Sequence, residues 1–244
     1  MQTLPAAQVA GLIPTVAWNY ALSDMDGALA WAKSLPGGEA QESAMQGVLD
    51  VLRVSDPQAA AEQAFSLRSG DARNEVIRDL AWRWADRDLE AARKWTQQLP
   101  EGQEQNNALR GLSEAWARTD PGGAAAFALS LPAGDAQHQA LNAVATHWAN
   151  QDARAAMDWA DSVTDAKARS DFLATASRTW AKNAPDQAAQ FLAQLPAGAM
   201  EDQAALLESI TRRWLDLDPA QAQAWIAQSP LSDVAKQRIL NGTK

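Results

Sequence analysis

The sequence has no cysteine, one tyrosine, four phenylalanines and two histidines in 244 residues. Without cysteine there is no disulfide framework, no thiolate metal site and no cysteine nucleophile. Such a chain suits the cytoplasm as well as a periplasmic or secreted setting. No stretch approaches the roughly 18 apolar residues of a membrane span, so no membrane insertion is expected. The opening Met1-Gln2-Thr3-Leu4-Pro5 lacks the basic and apolar regions of a signal peptide, and a mature domain freed of its leader would read the same. Positive charge is also short: 21 Lys and Arg stand against 30 Asp and Glu, a net charge of −9. That field opposes binding to nucleic acid or an anionic membrane and favours neutral or basic partners.

What the sequence does have is tryptophan, eleven in all, within a composition that is 47% hydrophobic and rich in alanine. The tryptophans carry a period. Trp84, Trp116, Trp148 and Trp180 are each 32 apart; stepping back by 32 reaches Leu52 and Tyr20, and Trp214 lies 34 beyond Trp180. Fixed residues follow each anchor. Four later comes an acid, at Asp24, Asp56, Asp88, Asp120, Asp152 and Asp218, with Ala184 the exception. Eight later comes an alanine, from Ala28 to Ala222, and eleven later an aromatic at Trp31, Trp95, Phe127, Trp159, Phe191 and Trp225. Leu-Pro pairs close the segment at Leu35, Leu99, Leu131 and Leu195, with glycine at Gly38, Gly70, Gly102, Gly134 and Gly198.

Each unit reads as helix, loop, helix, loop. The acid is a good N-cap, and Pro57, Pro121, Pro185 and Pro219 fall where a first turn tolerates proline. Apolar residues eight, eleven, twelve and fifteen after the anchor form one helical stripe. Leu-Pro-x-Gly then stops this first helix, because proline cannot continue it and glycine accepts positive φ. A second helix carries apolar residues at twenty-four, twenty-five and twenty-eight, as in Leu109, Leu112 and Trp116. Position twenty-seven tends to be small (Gly47, Gly111, Ala143, Thr175, Ser209), which predicts close approach of neighbouring helices. A second period of 64 lies over the first: Pro57, Pro121 and Pro185 alternate with Met25, Leu89 and Ala153.

The expected fold is therefore all-α, an α-solenoid with a right-handed superhelix of 32-residue helix-loop-helix repeats. A single repeat domain over 1–244 would hold about six and a half hairpins, anchored at Tyr20, Leu52, Trp84, Trp116, Trp148, Trp180 and Trp214, with 231–244 as a C-terminal cap. Leu4-Pro5 resembles the loop of a repeat without its first helix, as if the chain began inside a larger array.

The pattern from Trp116-Ala117 through Gly134 matches W-A-x-x-D-P-x-x-A-x-x-W-x-x-x-L-P-x-G, with phenylalanine at the second aromatic. It resembles divergent bacterial Trp/Ala-rich arrays of helical hairpins, themselves similar to tetratricopeptide repeats. Trp84, Ala92 and Trp95 stand roughly where tetratricopeptide repeats place an aromatic, an alanine and an aromatic, although the period here is 32. The resemblance covers residues 4–230 and implies protein or peptide binding.

Signals of chemistry are few. His138 and His147 are nine residues apart on one helix and so face opposite ways, which prevents a shared metal. No H-E-x-x-H, P-loop, G-x-S-x-G or dinucleotide fingerprint is present. The regular aspartates are explained by capping and the tryptophan ladder by core packing. No catalytic, cofactor or metal residue is assigned.

The polar ridge of the second helix is the remaining candidate. Positions twenty-two, twenty-six and thirty lie opposite the apolar stripe and would form rows across neighbouring repeats. Asn74, Arg78, Asn106, Arg110 and Asn142 fall on these rows, joined by Trp82, which the core pattern does not explain. Asparagine amides can hold an extended peptide backbone and arginines can grip a carboxylate, the logic of the tetratricopeptide carboxylate clamp. If the first helices line the concave side instead, the stripe becomes Lys33, Phe65, Gln97, Leu129 and Asp161. The expected function is a non-catalytic protein- or peptide-binding scaffold. The rival readings are a spacer or self-association module of a larger protein, and a carboxylate-based enzyme in the solenoid concavity.

Overall fold

A computed structural model describes residues 6–241. Leu4-Pro5 and the last three residues of the expected cap lie outside them. The described residues are all-helical and form two compact units, Met1–Ala115 and Trp116–Lys244.

The first unit holds α1 (Ala6–Ser23), α2 (Met25–Ser34), α3 (Glu39–Ser55), α4 (Pro57–Ala64), α5 (Asp71–Arg87), α6 (Leu89–Gln98) and most of α7 (Gln103–Trp116). The second holds α8 (Pro121–Ser130), α9 (Asp135–Ala160), α10 (Ala166–Trp180), α11 (Pro185–Gln194), α12 (Gln203–Leu217), α13 (Pro219–Gln228) and α14 (Asp233–Asn241). Each unit has its own core. In the first, Val48, Leu49, Ile77 and Leu80 are fully enclosed; in the second, Val144, Phe172, Leu192 and Ile226 are.

At most anchors the aspartate four residues later joins two helices without a longer loop. Asp24 is extended (φ −153°, ψ 94°), and its N–H donates to the Tyr20 carbonyl at 2.8 Å. Its carboxylate accepts from the Gly27 N–H at 2.9 Å, starting the next helix. Asp56, Asp88, Asp120, Asp152 and Asp218 repeat this arrangement. At Asp152 the break is so short that α9 runs on either side of it, with only Asp152 itself non-helical (φ −149°, ψ 89°). At Asp24, Asp56, Asp88, Asp152 and Asp218 the loop expected between second helix and next first helix is thus a single residue, whereas residues 117–120 separate α7 from α8 and residues 181–184 separate α10 from α11. One extended residue suffices because the aspartate satisfies a donor of the following helix while closing the preceding one. Ala184 keeps the backbone turn without a side-chain cap.

The other junction follows the Leu-Pro-x-Gly pattern. Leu35, Leu99, Leu131 and Leu195 leave the helix in the extended region, and Gly38, Gly70, Gly102, Gly134 and Gly198 have positive φ. A side chain twenty-one residues after the anchor then bonds back to the end of the first helix. Gln105 donates to the Leu99 carbonyl at 3.0 Å, Gln137 to Leu131 at 3.0 Å, Arg73 to Leu67 at 3.3 Å and Arg169 to Val163 at 3.1 Å. These donors satisfy carbonyls that a helix C-terminus leaves open.

Aromatic pairs fasten anchor to following helix. Trp84–Trp95, Trp116–Phe127, Trp148–Trp159, Trp180–Phe191 and Trp214–Trp225 have ring centroids 5.6, 5.5, 5.7, 5.9 and 5.5 Å apart. Each such pair is worth about 0.5–1.5 kcal/mol beyond the area it buries. The tryptophan ladder is packing, as its spacing predicts.

Successive second helices meet at the small position. A Cβ on Gly111 would lie 2.1 Å from the Arg78 carbonyl oxygen, and one on Gly47 would lie 2.3 Å from that of Pro14. In the first unit α1 packs on α3 and α3 on α5, with no comparable packing among α2, α4 and α6.

Candidate binding ridge

In the first unit the ridge is charged. Arg78 on α5 and Arg110 on α7 converge on the carboxylate of Glu114. Arg78 Nη1 donates to one oxygen at 3.5 Å, and Arg110 Nε lies 3.3 Å from the other, at ion-pair distance without hydrogen-bond alignment. All three side chains are half-buried, so the charges are less screened than fully exposed ones. Asn74 and Asn106 are half-buried on the same helices, and the Asn74 Oδ1 is enclosed without a hydrogen-bond partner. Trp82 is half-buried and makes contacts of its own, so it is not the open aromatic surface its ridge position suggested.

Beside this cluster, a groove of about 400 Å³ between α3 and α5 is lined by Gln46, Asp50, Arg53, Glu75, Arg78 and Asp79. Arg53 bridges Asp50 and Asp79, the latter at 3.0 Å, and Arg83 also reaches Asp79 at 2.8 Å. At the end of α5, Arg73 pairs with Glu104. Hydrogen bonding from Arg73 holds the Glu104 carboxyl below the usual carboxylate range.

In the second unit the same ridge carries a chain of side-chain hydrogen bonds that ends on a carboxylate. Thr175 Oγ1 donates to Asn142 Oδ1 at 2.8 Å, and Asn142 Nδ2 lies 2.8 Å from His138 Nε2. The other ring nitrogen, Nδ1, faces Asp171 at 3.2 Å. Lys167 bonds the same Asp171 oxygen at 2.9 Å, and that bond raises the lysine above its ordinary range. Two adjoining grooves share His138 and Asp171: one of about 400 Å³ reaching Gln137 and Lys167, and one of about 190 Å³ reaching Arg178 and Glu201.

The six residues singled out by sequence are therefore distributed as follows. Arg78 and Arg110 are brought together by Glu114. Asn74, Trp82 and Asn106 lie on the ridge of the same unit, and Asn142 belongs to the second unit's chain. Sequence reasoning did not single out Glu114 or Asp171 and took Thr175 only as a small residue between helices. A signal for the last two was available. Second helices contact one another at an offset of 33, one repeat plus one residue, as in Asn142–Thr175, His138–Asp171 and the Arg78–Gly111 approach. Reading rows at an offset of 32 missed these partners. Trp18 was also missed: it is exposed on α1, and it stands 64 residues before Trp82, on the longer period.

Among the described residues, no group of histidine, aspartate and glutamate side chains is placed to hold a metal ion. None of their helices is long and apolar enough to cross a membrane. No family model, curated protein or solved structure matches this chain.

Proposed function

We propose that the chain is a non-catalytic scaffold whose second-helix ridge binds a protein or peptide, and that its hairpins stack as a right-handed α-solenoid of the tetratricopeptide-like kind. The observation that carries this reading is the convergence of Arg78 and Arg110 on one carboxylate. Two guanidinium groups from successive second helices are already arranged around a carboxylate, so an acidic group of a ligand can take the place of Glu114. Asn74 and Asn106 stand alongside with amides suited to an extended backbone. Contact among second helices, without comparable contact among the first helices of that unit, supports the second-helix layer as the inner face.

The test is affinity capture from the source lysate with the intact chain and with an Asn106→Ala/Arg110→Ala variant of equal helicity by circular dichroism. Enrichment of a partner by the intact chain and its loss in the variant is the expected result. Equal enrichment by both would keep the scaffold and remove the ridge. Enrichment by neither would favour a spacer or self-association module.

A further inference from the structure

The two grooves that share His138 and Asp171 bring an apolar floor, open carboxylates and an unpaired cation together. The larger, of about 400 Å³, is floored by the buried side chains of Leu141 and Ala168. The smaller, of about 190 Å³, is walled by the break in the repeat. Trp214 follows Trp180 by 34 residues rather than 32, and the turn between α11 and α12 is longer than its counterpart between α8 and α9. In that turn the Glu201 N–H donates to Ser170 Oγ at 2.8 Å, which seats it on α10 and buries the serine.

The lengthened turn delivers two carboxylates to the smaller groove. Asp202 has φ 52°, the only positive φ outside glycine among the described residues. It stands at the N-cap of α12, yet its carboxylate caps nothing, unlike that of Asp165 at the start of α10. A backbone outlier whose side chain serves no local bond points to a use elsewhere. Among the described residues neither Glu201 nor Asp202 forms an ion pair. Arg178, about two turns along α10 from Ser170, lines the same groove, and its guanidinium forms none either. The wall between the grooves already holds an ammonium. Lys167 Nζ bonds Asp171 at 2.9 Å, and its side chain is 71% exposed, free to swing away.

We propose that these paired grooves bind the free N-terminus of a peptide whose first residue is apolar. Each feature then has a task. The α-ammonium takes the place of Lys167 among Asp171, Glu201 and Asp202, where three carboxylates outweigh one free guanidinium. The first side chain lies over Leu141 and Ala168, and burial of its apolar surface drives binding. Arg178 carries donors only, so it serves the peptide carbonyls. A lysine side chain fits less well, because its charge stands at the far end of its apolar stem; an α-ammonium shares one carbon with the apolar side chain. The inference rests on the scaffold reading only in taking a peptide as ligand. Its residues belong to the second unit, apart from Arg78 and Arg110.

The probe is a pentapeptide, Leu-Ala-Gly-Gly-Lys amide, labelled with fluorescein on its lysine and read by fluorescence anisotropy with the full chain. Saturable binding is expected, at least ten-fold weaker when the peptide is N-acetylated, and weakening as pH rises past about 8, where an α-ammonium loses its proton. A Glu201→Gln/Asp202→Asn variant is expected to bind at least ten-fold more weakly with unchanged helicity, since both side chains are exposed and asparagine adopts the left-handed conformation as aspartate does. Asp216→Asn, which neutralises an exposed carboxylate near the other end of α12, is expected to bind as the intact chain does. So is Asn106→Ala/Arg110→Ala, which keeps this site distinguishable from the first unit's ridge. No saturable binding would overturn the proposal, as would equal binding of the acetylated peptide or equal binding by the Glu201→Gln/Asp202→Asn variant. Leucinamide displacing the probe at the peptide's own concentration would overturn the peptide as ligand, because a single free residue would then suffice.

Discussion

The two units build the same ridge positions with different interactions. In the first, Arg78, Arg110 and Glu114 form an ionic cluster, and position twenty-seven is a glycine pressed against the Arg78 backbone. In the second, Thr175 is one of the residues at position twenty-seven, and its hydroxyl donates to Asn142 in a chain that continues to His138 and Asp171. The small position thus has two uses. Where it is glycine, contact between helices is backbone to side-chain-free backbone; where it is threonine, a hydrogen bond makes the contact. The first arrangement is sensitive to volume and salt, the second to loss of a donor.

The largest expected effect follows from volume. Gly111→Ala places a Cβ 2.1 Å from a carbonyl oxygen that belongs to backbone and cannot rotate away. The two helices must separate, and the loss should be about 1–3 kcal/mol, the usual range for overpacking. The urea unfolding midpoint checks it; an unchanged midpoint would refute the close approach. In the second unit, Thr175→Val keeps the shape and removes the donor to Asn142. About 1 kcal/mol should be lost by the same measurement.

Acid should distinguish the units next. Arg73 holds the Glu104 carboxyl below its ordinary value. A carboxyl lowered in the folded state contributes stability above its unfolded pKa and loses it as pH falls through the folded one. The intact chain should therefore lose stability on acidification below about 4.5, and Glu104→Gln should remove that part of the slope. Denaturant midpoints measured across this range give the comparison. The smallest effect is expected at Glu114. Glu114→Gln should cost less than about 1 kcal/mol in dilute buffer, and the difference should shrink as salt is added. It should also strengthen binding of acidic peptides by freeing two arginines.

The helical hairpins were legible because each depends on local chemistry. Asp120 caps, Pro121 fits a first turn, Leu131-Pro132 ends the helix and Gly134 takes φ 154°. The aromatic pairs followed from two fixed offsets, and the close approach at Gly47 and Gly111 from one small position. What escaped was the register between successive second helices. It is set by packing rather than by the repeat length, so partners lie 33 residues apart and Asp171 and Thr175 were not linked to His138 and Asn142. The Gln105 and Gln137 bonds to the Leu99 and Leu131 carbonyls escaped too, because a glutamine at a helix start reads as ordinary surface. Of the candidate site, the convergence of Arg78 and Arg110 on Glu114 was not legible, because it joins side chains of two successive second helices across their packing.

The central claim is that the second-helix ridge is the binding face. The most direct measurement selects ligands from a displayed library of random peptides and then maps the bound peptide by hydrogen exchange. The account predicts that selected peptides carry an acidic group and that protection on binding falls on α5 and α7 around Arg78, Asn106 and Arg110. Protection confined to the first helices, around Lys33, Phe65 and Gln97, with the ridge unchanged, would contradict it.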